Sequence, residues 1–311
     1  ESSPGNNLYL TIDKDYQVQA YHLLEEEIAG IILQKLSSSG DDKIDINEVY
    51  AAFIKNGIID LDRMGEKDAS ELEQSIYAIY ESQESSRFDV IRNLLNGTNM
   101  NSYNGCSEEE REYIELIENI ITNNGILDTS KLSSADEISQ LWTTGNTSLY
   151  EYLHYAIGKG AISVAAMDIS DTFLDSDEIY ASLTEYILLE LEDNSSFSKI
   201  VYCAMLNEGA INGQQICVLL YEQGVLEKDE AYDNLVNNVV DPYTFIYDKI
   251  YNLEITPDML ALDPCSGSLV ATDPDTGEVL ALVSYPSYDA NRISDSGYYE
   301  SLLENESLPL Y

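Results

Sequence analysis

"GSLVATDPDTGEVLALVSYPSYDAN", residues 267–291, is the stretch on which the fold reading turns. Ser268 to Asp273 and Glu278 to Ser284 are short runs rich in Val, Leu and Ala, with Asp273-Pro274-Asp275-Thr276-Gly277 between them. Asp suits the first position of a type I turn, Pro presets φ at the second, and Gly takes the left-handed conformation that returns the chain to its partner strand. The stretch therefore predicts a β-hairpin. Leu280 to Val283 is almost continuously apolar, which predicts a strand covered on both faces, as in the interior of a sheet.

Upstream of Ile255-Thr256-Pro257 the texture is helical for more than two hundred residues. Ile46, Val49, Tyr50, Phe53 and Ile54 recur at helical spacing, as do Leu72-Ile76-Ile79, Tyr113-Ile117-Ile120, Ile179-Leu183-Ile187 and Ile216-Leu219-Leu220. Gly57, Gly125, Gly209 and Gly224 each follow a helical run and precede an aliphatic residue, the mark of a left-handed C-cap closed by an apolar contact. Their uneven intervals exclude a solenoid of constant period. At the front of the chain, Leu8 to Ile12 predicts a strand and Asp13 an N-cap. Tyr21, Leu24, Ile28 and Ile31 predict one apolar helix stripe, and Ala29-Gly30 predicts close packing on a sheet. Ser37 to Asp42 is a polar break.

The fold class read from this pattern is predominantly α, a helical block inserted into a partial α/β sheet with strand-helix at the N-terminus and the hairpin near the C-terminus. Three segments follow: 1–36 with the first strand and helix, 37–255 as the helical insertion, and 256–311 with the hairpin and what comes after it.

The two outer segments together resemble the start of the transpeptidase domain of penicillin-binding proteins. Leu10 to Asp13, Gln17, Gly267, Asp273-Pro274, Thr276-Gly277-Glu278, Leu280-Ala281, Ser284, Pro286, Asp289 and Asn291 agree with the family text, and Ala290 stands where Pro is usual. In the family the two segments lie a couple of dozen residues apart, so the resemblance implies that the helical block is an insertion. Tyr298 to Leu310 is similar to the family's run-up to the nucleophile helix, so the chain reads as the front half of such a domain, ending before its catalytic centre.

The resemblance implies a peptidoglycan D,D-transpeptidase parent on the extracytoplasmic side of a bacterial membrane. That parent would be membrane-anchored, would cross-link stem peptides through an acyl-enzyme, would be acylated by β-lactams, and could meet cell-wall or divisome proteins. It implies no cofactor.

That chemistry needs a Ser with a Lys three residues on, a Ser-x-Asn and a Lys-(Thr/Ser)-Gly box, all together. Ser196-Phe197-Ser198-Lys199 fits the first pattern but precedes the hairpin, where the family's nucleophile follows it. Ser102-Tyr103-Asn104 comes before that Ser, and none of the ten lysines opens a Lys-Thr-Gly or Lys-Ser-Gly box. Ser196 and Lys199 read as a solvated helix start, and no residue is assigned to catalysis, cofactor or metal. Asp41 to Glu48 has part of a calcium-loop register, yet Ser37 would be its first ligand and Asp42 stands where Gly is needed. Asp168 to Glu178 lacks that spacing, and both stretches read as capped helix starts.

His154 reads as a surface or packing residue rather than a base. Cys203 and Cys217 fall in apolar helical patterns and read as core; Cys106 and Cys265 fall in loops, where pairing stays open. No Cys-x-x-Cys occurs and the only histidines are His22 and His154, which argues against a Cys/His zinc site.

With 15 Lys plus Arg against 57 Asp plus Glu, the formal charge is −42, which excludes nucleic acid and anionic headgroups as partners. A second functional class follows from the same charge, a non-catalytic helical module whose acidic surface binds cations or a basic protein. Crowded carboxylates would also raise one another's pKa values and place maximal stability in mild acid. No apolar run has the length of a membrane span, and Glu1 to Asn7 lacks the start of a signal peptide.

Overall fold

The computed structural model describes residues 9–167, 169, 174–288, 292–293 and 295–304. The first half of the chain holds α1 (Lys14–Leu36), α2 (Ile46–Lys55), α3 (Glu71–Leu95), α4 (Glu108–Asn123), α5 (Glu137–Thr143) and α6 (Leu149–Gly158). The second half continues with α7 (Ser176–Glu192), α8 (Ser195–Asn207), α9 (Gly213–Glu222), α10 (Glu230–Val236), α11 (Pro242–Tyr251), α12 (Pro257–Leu260) and α13 (Ser296–Glu304). Strands β1 (Gly267–Thr272) and β2 (Val279–Tyr285) form the one sheet among the described residues. The protein is predominantly α, as the periodicity predicts.

Two compact units emerge, one from Glu1–Asp60 with Asn212–Tyr311 and the other from Leu61–Ile211. The stretches 37–60 and 212–255, which sequence texture alone joins to the helical block, thus fall with α1 and the hairpin. The physical reason is tertiary: α11 and α12 pack on α1, and α12 on α2. Asn56 at the end of α2 donates its amide to the carbonyls of Met259 and Leu260, and Lys35 at the end of α1 donates to Asp263 O at 2.8 Å.

Helix starts explain where part of the acidity goes. Capping boxes open α2 (Asp45, Glu48), α3 (Ser70, Glu73), α4 (Ser107, Glu110), α6 (Ser148, Glu151), α7 (Asp175, Glu178) and α9 (Asn212, Gln215). A carboxylate there satisfies an orphan backbone N–H and lies at the positive end of the helix dipole. The stops behave as read: Gly57, Gly125, Gly209 and Gly224 all have positive φ, between 67° and 76°, and buried Ile59, Ile126, Ile211 and Leu226 close over them.

In the first unit, β1 and β2 pair antiparallel with Gly267 opposite Tyr285 and Val270 opposite Leu282, and a bulge falls between Ala271 and Thr272. One face lies on α1: Ala281 and Val283 are buried against Ala20, with Tyr21, Leu24, Leu269 and Ala271 around them. A Cβ at Gly267 would come within 3.3 Å of Leu24 and 3.4 Å of Ile28, so this glycine admits the helix to the strand.

Gly30 has no atom within 4 Å of such a Cβ, so the close approach expected there belongs to Gly267 instead. Ile31 is also exposed, because the buried stripe of α1 runs through Ala20, Ile28, Ile32 and Leu36. In the second unit, Phe197 is fully buried between the rings of Phe88 and Tyr113, at 4.9 and 5.8 Å, and joins α8 to α3 and α4.

Candidate functional site

Several of the residues that carry the family resemblance meet at the junction of α1 with the hairpin. Asp13 caps α1 by accepting from the backbone of Asp15 and Tyr16, and its own N–H donates to Leu280 O at 2.8 Å. Thr11 Oγ1 donates to Val279 O at 2.7 Å. Gln17 completes the set: its amide donates to Leu282 O at 2.6 Å and its carbonyl accepts from Leu282 N at 2.9 Å. Side chains and one loop N–H thus occupy the edge of β2 that another strand would take.

This corrects the predicted strand at Leu8 to Ile12. Residues 9–12 form no strand and Leu8 lies outside the described residues. Tyr9 and Leu10 are exposed, so no apolar face binds that segment into the sheet.

The turn specifies itself as expected. Asp273 Oδ1 accepts from the N–H groups of Asp275 and Thr276, Gly277 has φ of 77° and donates to Asp273 O, and Asp273 N–H donates to Glu278 O. Those backbone bonds from Thr276 and Asp275 hold the Asp273 carboxyl below the usual range. Tyr285 is buried, with its ring 5.3 Å from that of Tyr21 and its hydroxyl donating to Asp258 Oδ1 at 3.1 Å; burial pushes its phenol up.

The double covering read from Leu280 to Val283 is not met among the described residues. Leu282 and Val270, paired across the sheet, are 60% and 58% exposed. Asp289, Ala290 and Asn291 lie outside the described residues.

The remaining motifs resolve into structure. Ser196 sits in the first turn of α8, where Asn194 caps its backbone N–H, and no bond joins its hydroxyl to Lys199. Asn104 holds a loop by donating to Thr144 O at 2.8 Å. The calcium-like stretch is the cap of α2 through Asp45, and Asp175 caps α7, while Asp168 and 170–173 lie outside the described residues. Cys203 and Cys217 are core residues, and none of the four cysteines forms a disulfide. Among the described residues no cluster of three or more His, Cys, Asp or Glu could hold a metal, and no helix is long and apolar enough to cross a membrane.

At some of the described carboxyls local donors act against the repulsion expected from composition. Six carboxyls are held below their ordinary range, each by donors that outweigh burial: Asp128 by Ser130, Asp136 by Lys159, Glu151 by Thr147, Asp241 by Thr244, Asp273 by its turn, and Asp229 by Lys249 and Tyr221. In the second unit, buried Arg87 donates to Glu109 at 3.0 Å and Glu208 at 2.7 Å; burial opposes its charge, and the two carboxylates restore and exceed it. In the first unit, buried Lys249 meets Asp229 and Glu254 with the same result.

His154 is a packing residue. Its ring stacks on Tyr180 at 4.1 Å and 8°, with Tyr150 edge-on at 4.4 Å. These three rings help line a groove of about 670 Å³ beside α7, which the sequence reading missed. The available signal was the second apolar stripe of α7, Ala181 with Leu188 and Leu189, next to its core stripe of Leu183, Ile187 and Leu191.

Comparison with known proteins finds one short stretch of similarity. The chain is 42% identical over 53 residues to "Peptidoglycan D,D-transpeptidase PbpA" of Mycolicibacterium smegmatis, a similarity that covers 15% of this chain and 11% of that protein. The matched stretch is thus about a tenth of the relative's length. No family profile and no solved structure matches. The similarity relates part of this chain to a penicillin-binding transpeptidase.

Proposed function

We propose that this chain carries the leading part of a transpeptidase domain of the penicillin-binding protein class, interrupted by a helical unit. The protein it belongs to would cross-link peptidoglycan stem peptides by acyl transfer, on the extracytoplasmic side of a bacterial membrane to which it is anchored. One observation carries the reading: several of the family-like residues meet at a single junction, where Thr11, Asp13 and Gln17 seal one edge of β2 and Gly267 seats α1 on the sheet. The apolar pair Val270 and Leu282 on the opposite face suits a sheet that continues into a larger layer.

These residues are architectural, so they support the scaffold and leave the chemistry to other groups. The 311-residue chain has no Ser-x-x-Lys, Ser-x-Asn and Lys-Thr-Gly set in the family order. It should form no covalent adduct with a fluorescent penicillin, while the product of the full gene, extended through those boxes, should gain the mass of one acyl group. Intact-mass spectrometry of both proteins decides. An adduct on the 311-residue chain at Ser196, or an unlabelled full product, would overturn the reading.

The second reading is a non-catalytic acidic helical module that binds cations or a basic partner, and the groove along α7 favours it.

A further inference from the structure

The groove beside α7 has a shape and a charge that the fold does not use. α7 packs Leu183, Ile187 and Leu191 into the core and turns Ala181, Leu188 and Leu189 to the groove, with Leu189 59% exposed. A large aliphatic side chain that exposed beside three aromatic rings is apolar surface without a cover among the described residues. The lining also keeps a polar atom in reserve: Nε2 of His154 is buried and has no hydrogen-bond partner among the described residues.

Charge selects the occupant. Asp177, Glu185 and Glu192 punctuate the apolar stripe along α7. Arg92 is the one cation in the lining, and it is held by Asp89 at 2.9 Å and lies over the Phe88 ring. The field in the groove is therefore negative. At about 1.5 Å per residue the stripe from Asp177 to Glu192 is about 22 Å long, the length of four helical turns and too long for a compact small molecule. Its three carboxylates are spaced eight and seven residues apart, which is also the spacing at which one face of a helix lying alongside recurs.

We propose that this groove is the docking site for a basic amphipathic helix of a partner protein. The helix would lay apolar side chains on Ala181, Leu188, Leu189 and the three rings, and would place Lys or Arg, about one per two turns, against Asp177, Glu185 and Glu192. Because all the lining residues lie within 61–211, the proposal is independent of the transpeptidase reading.

The test uses the 311-residue protein and a fluorescein-labelled peptide of Leu and Lys in heptad order, about 15 residues long to match the groove. Anisotropy is read near physiological salt, where exposed charges beyond about 8 Å are screened. The peptide should bind. The triple variant Asp177→Lys, Glu185→Lys, Glu192→Lys should weaken it at least about tenfold, and Leu189→Glu about fivefold. A charge-matched triple at exposed sites elsewhere in the unit, Glu66→Lys, Asp68→Lys, Glu81→Lys, should change it less than about twofold.

All replaced side chains are exposed, and circular dichroism verifies that each variant keeps its helicity. A peptide with every Leu replaced by Ser, or with a central Pro, should bind at least about tenfold more weakly. No binding to the unmodified protein, equal loss in the two triple variants, or equal binding of the Ser or Pro peptide would each overturn the proposal.

Discussion

The hairpin of the first unit and the helices of the second meet their cores in different ways. β2 alternates Ala281, Val283 and Tyr285 against α1 with Leu282 facing outward, so half of an apolar strand is exposed. Phe197, Tyr113, Ile117 and Leu153 of the helical unit are fully enclosed by neighbours from the same 151 residues, Leu61–Ile211. A two-stranded sheet with one helix on it is half of a layered structure, whereas a helix bundle can close on itself.

The sharpest break of that contrast compares adjacent positions of one strand. Val283→Asp buries an unpartnered carboxyl against α1 and should cost about 3 kcal/mol or more, while Leu282→Asp, one residue away on the open face, should change stability by less than about 0.5 kcal/mol. Phe197→Ala, in the closed unit, should cost about 3–5 kcal/mol. Chemical denaturation of the three variants checks the ranking; equal losses at 282 and 283 would mean that both faces are covered.

Next in size are the buried cations, one in each unit. Arg87→Met and Lys249→Met each strand two carboxylates that remain partly exposed, so the full cost of breaking a buried pair is discounted to about 1–2 kcal/mol. The effect of each should fall on the transition of its own unit, read by hydrogen exchange at amides of α3 or α11.

Glycines give the next contrast. Gly125, at φ of 68° after α4, should lose about 1 kcal/mol as Ala, whereas Gly30, inside α1 with open space around it, should gain about 0.5–1 kcal/mol as Ala. A loss at Gly30 would show that the helix needs the glycine for contact after all.

The smallest effect is on pH. Asp128, Asp136 and Glu151 in one unit, and Asp229, Asp241 and Asp273 in the other, have lowered folded pKa values. Depressed carboxyls contribute stability above the unfolded pKa and lose it as pH falls through the folded one. Both units should therefore melt earlier as pH drops below about 4. A melting temperature that rises between pH 4 and pH 3 would contradict this, and one that rises from pH 7.5 to pH 5 would support the repulsion argument.

What the sequence made legible is local. Asp273 to Gly277 dictates its own turn, Asp13, Asp45 and Asp175 dictate caps, and Gly57 through Gly224 dictate stops, because each acts over a few residues through φ preference or a hydrogen bond to the next turn. What it hid is long-range. An apolar run such as Leu280 to Val283 states that the strand can be covered twice, not that the covering element is present.

The strand expected at Leu8 to Ile12 failed because Gln17, one turn into the helix, bonds the edge of β2 with its side chain, a role that β-propensity does not describe. The groove stayed hidden because α7 carries two apolar stripes, and only the packing of Leu183 and Ile187 reveals that Leu188 and Leu189 are left over.

The central claim is that Leu61–Ile211 is a self-sufficient helical unit set into a chain whose remainder builds the transpeptidase-like junction. Excising residues 61–211 and following its helical circular dichroism through a thermal melt tests this most directly. The account predicts a helical spectrum and one cooperative transition, shifted to lower temperature in Phe197→Ala. A disordered spectrum, or a gradual melt without a baseline, would contradict it.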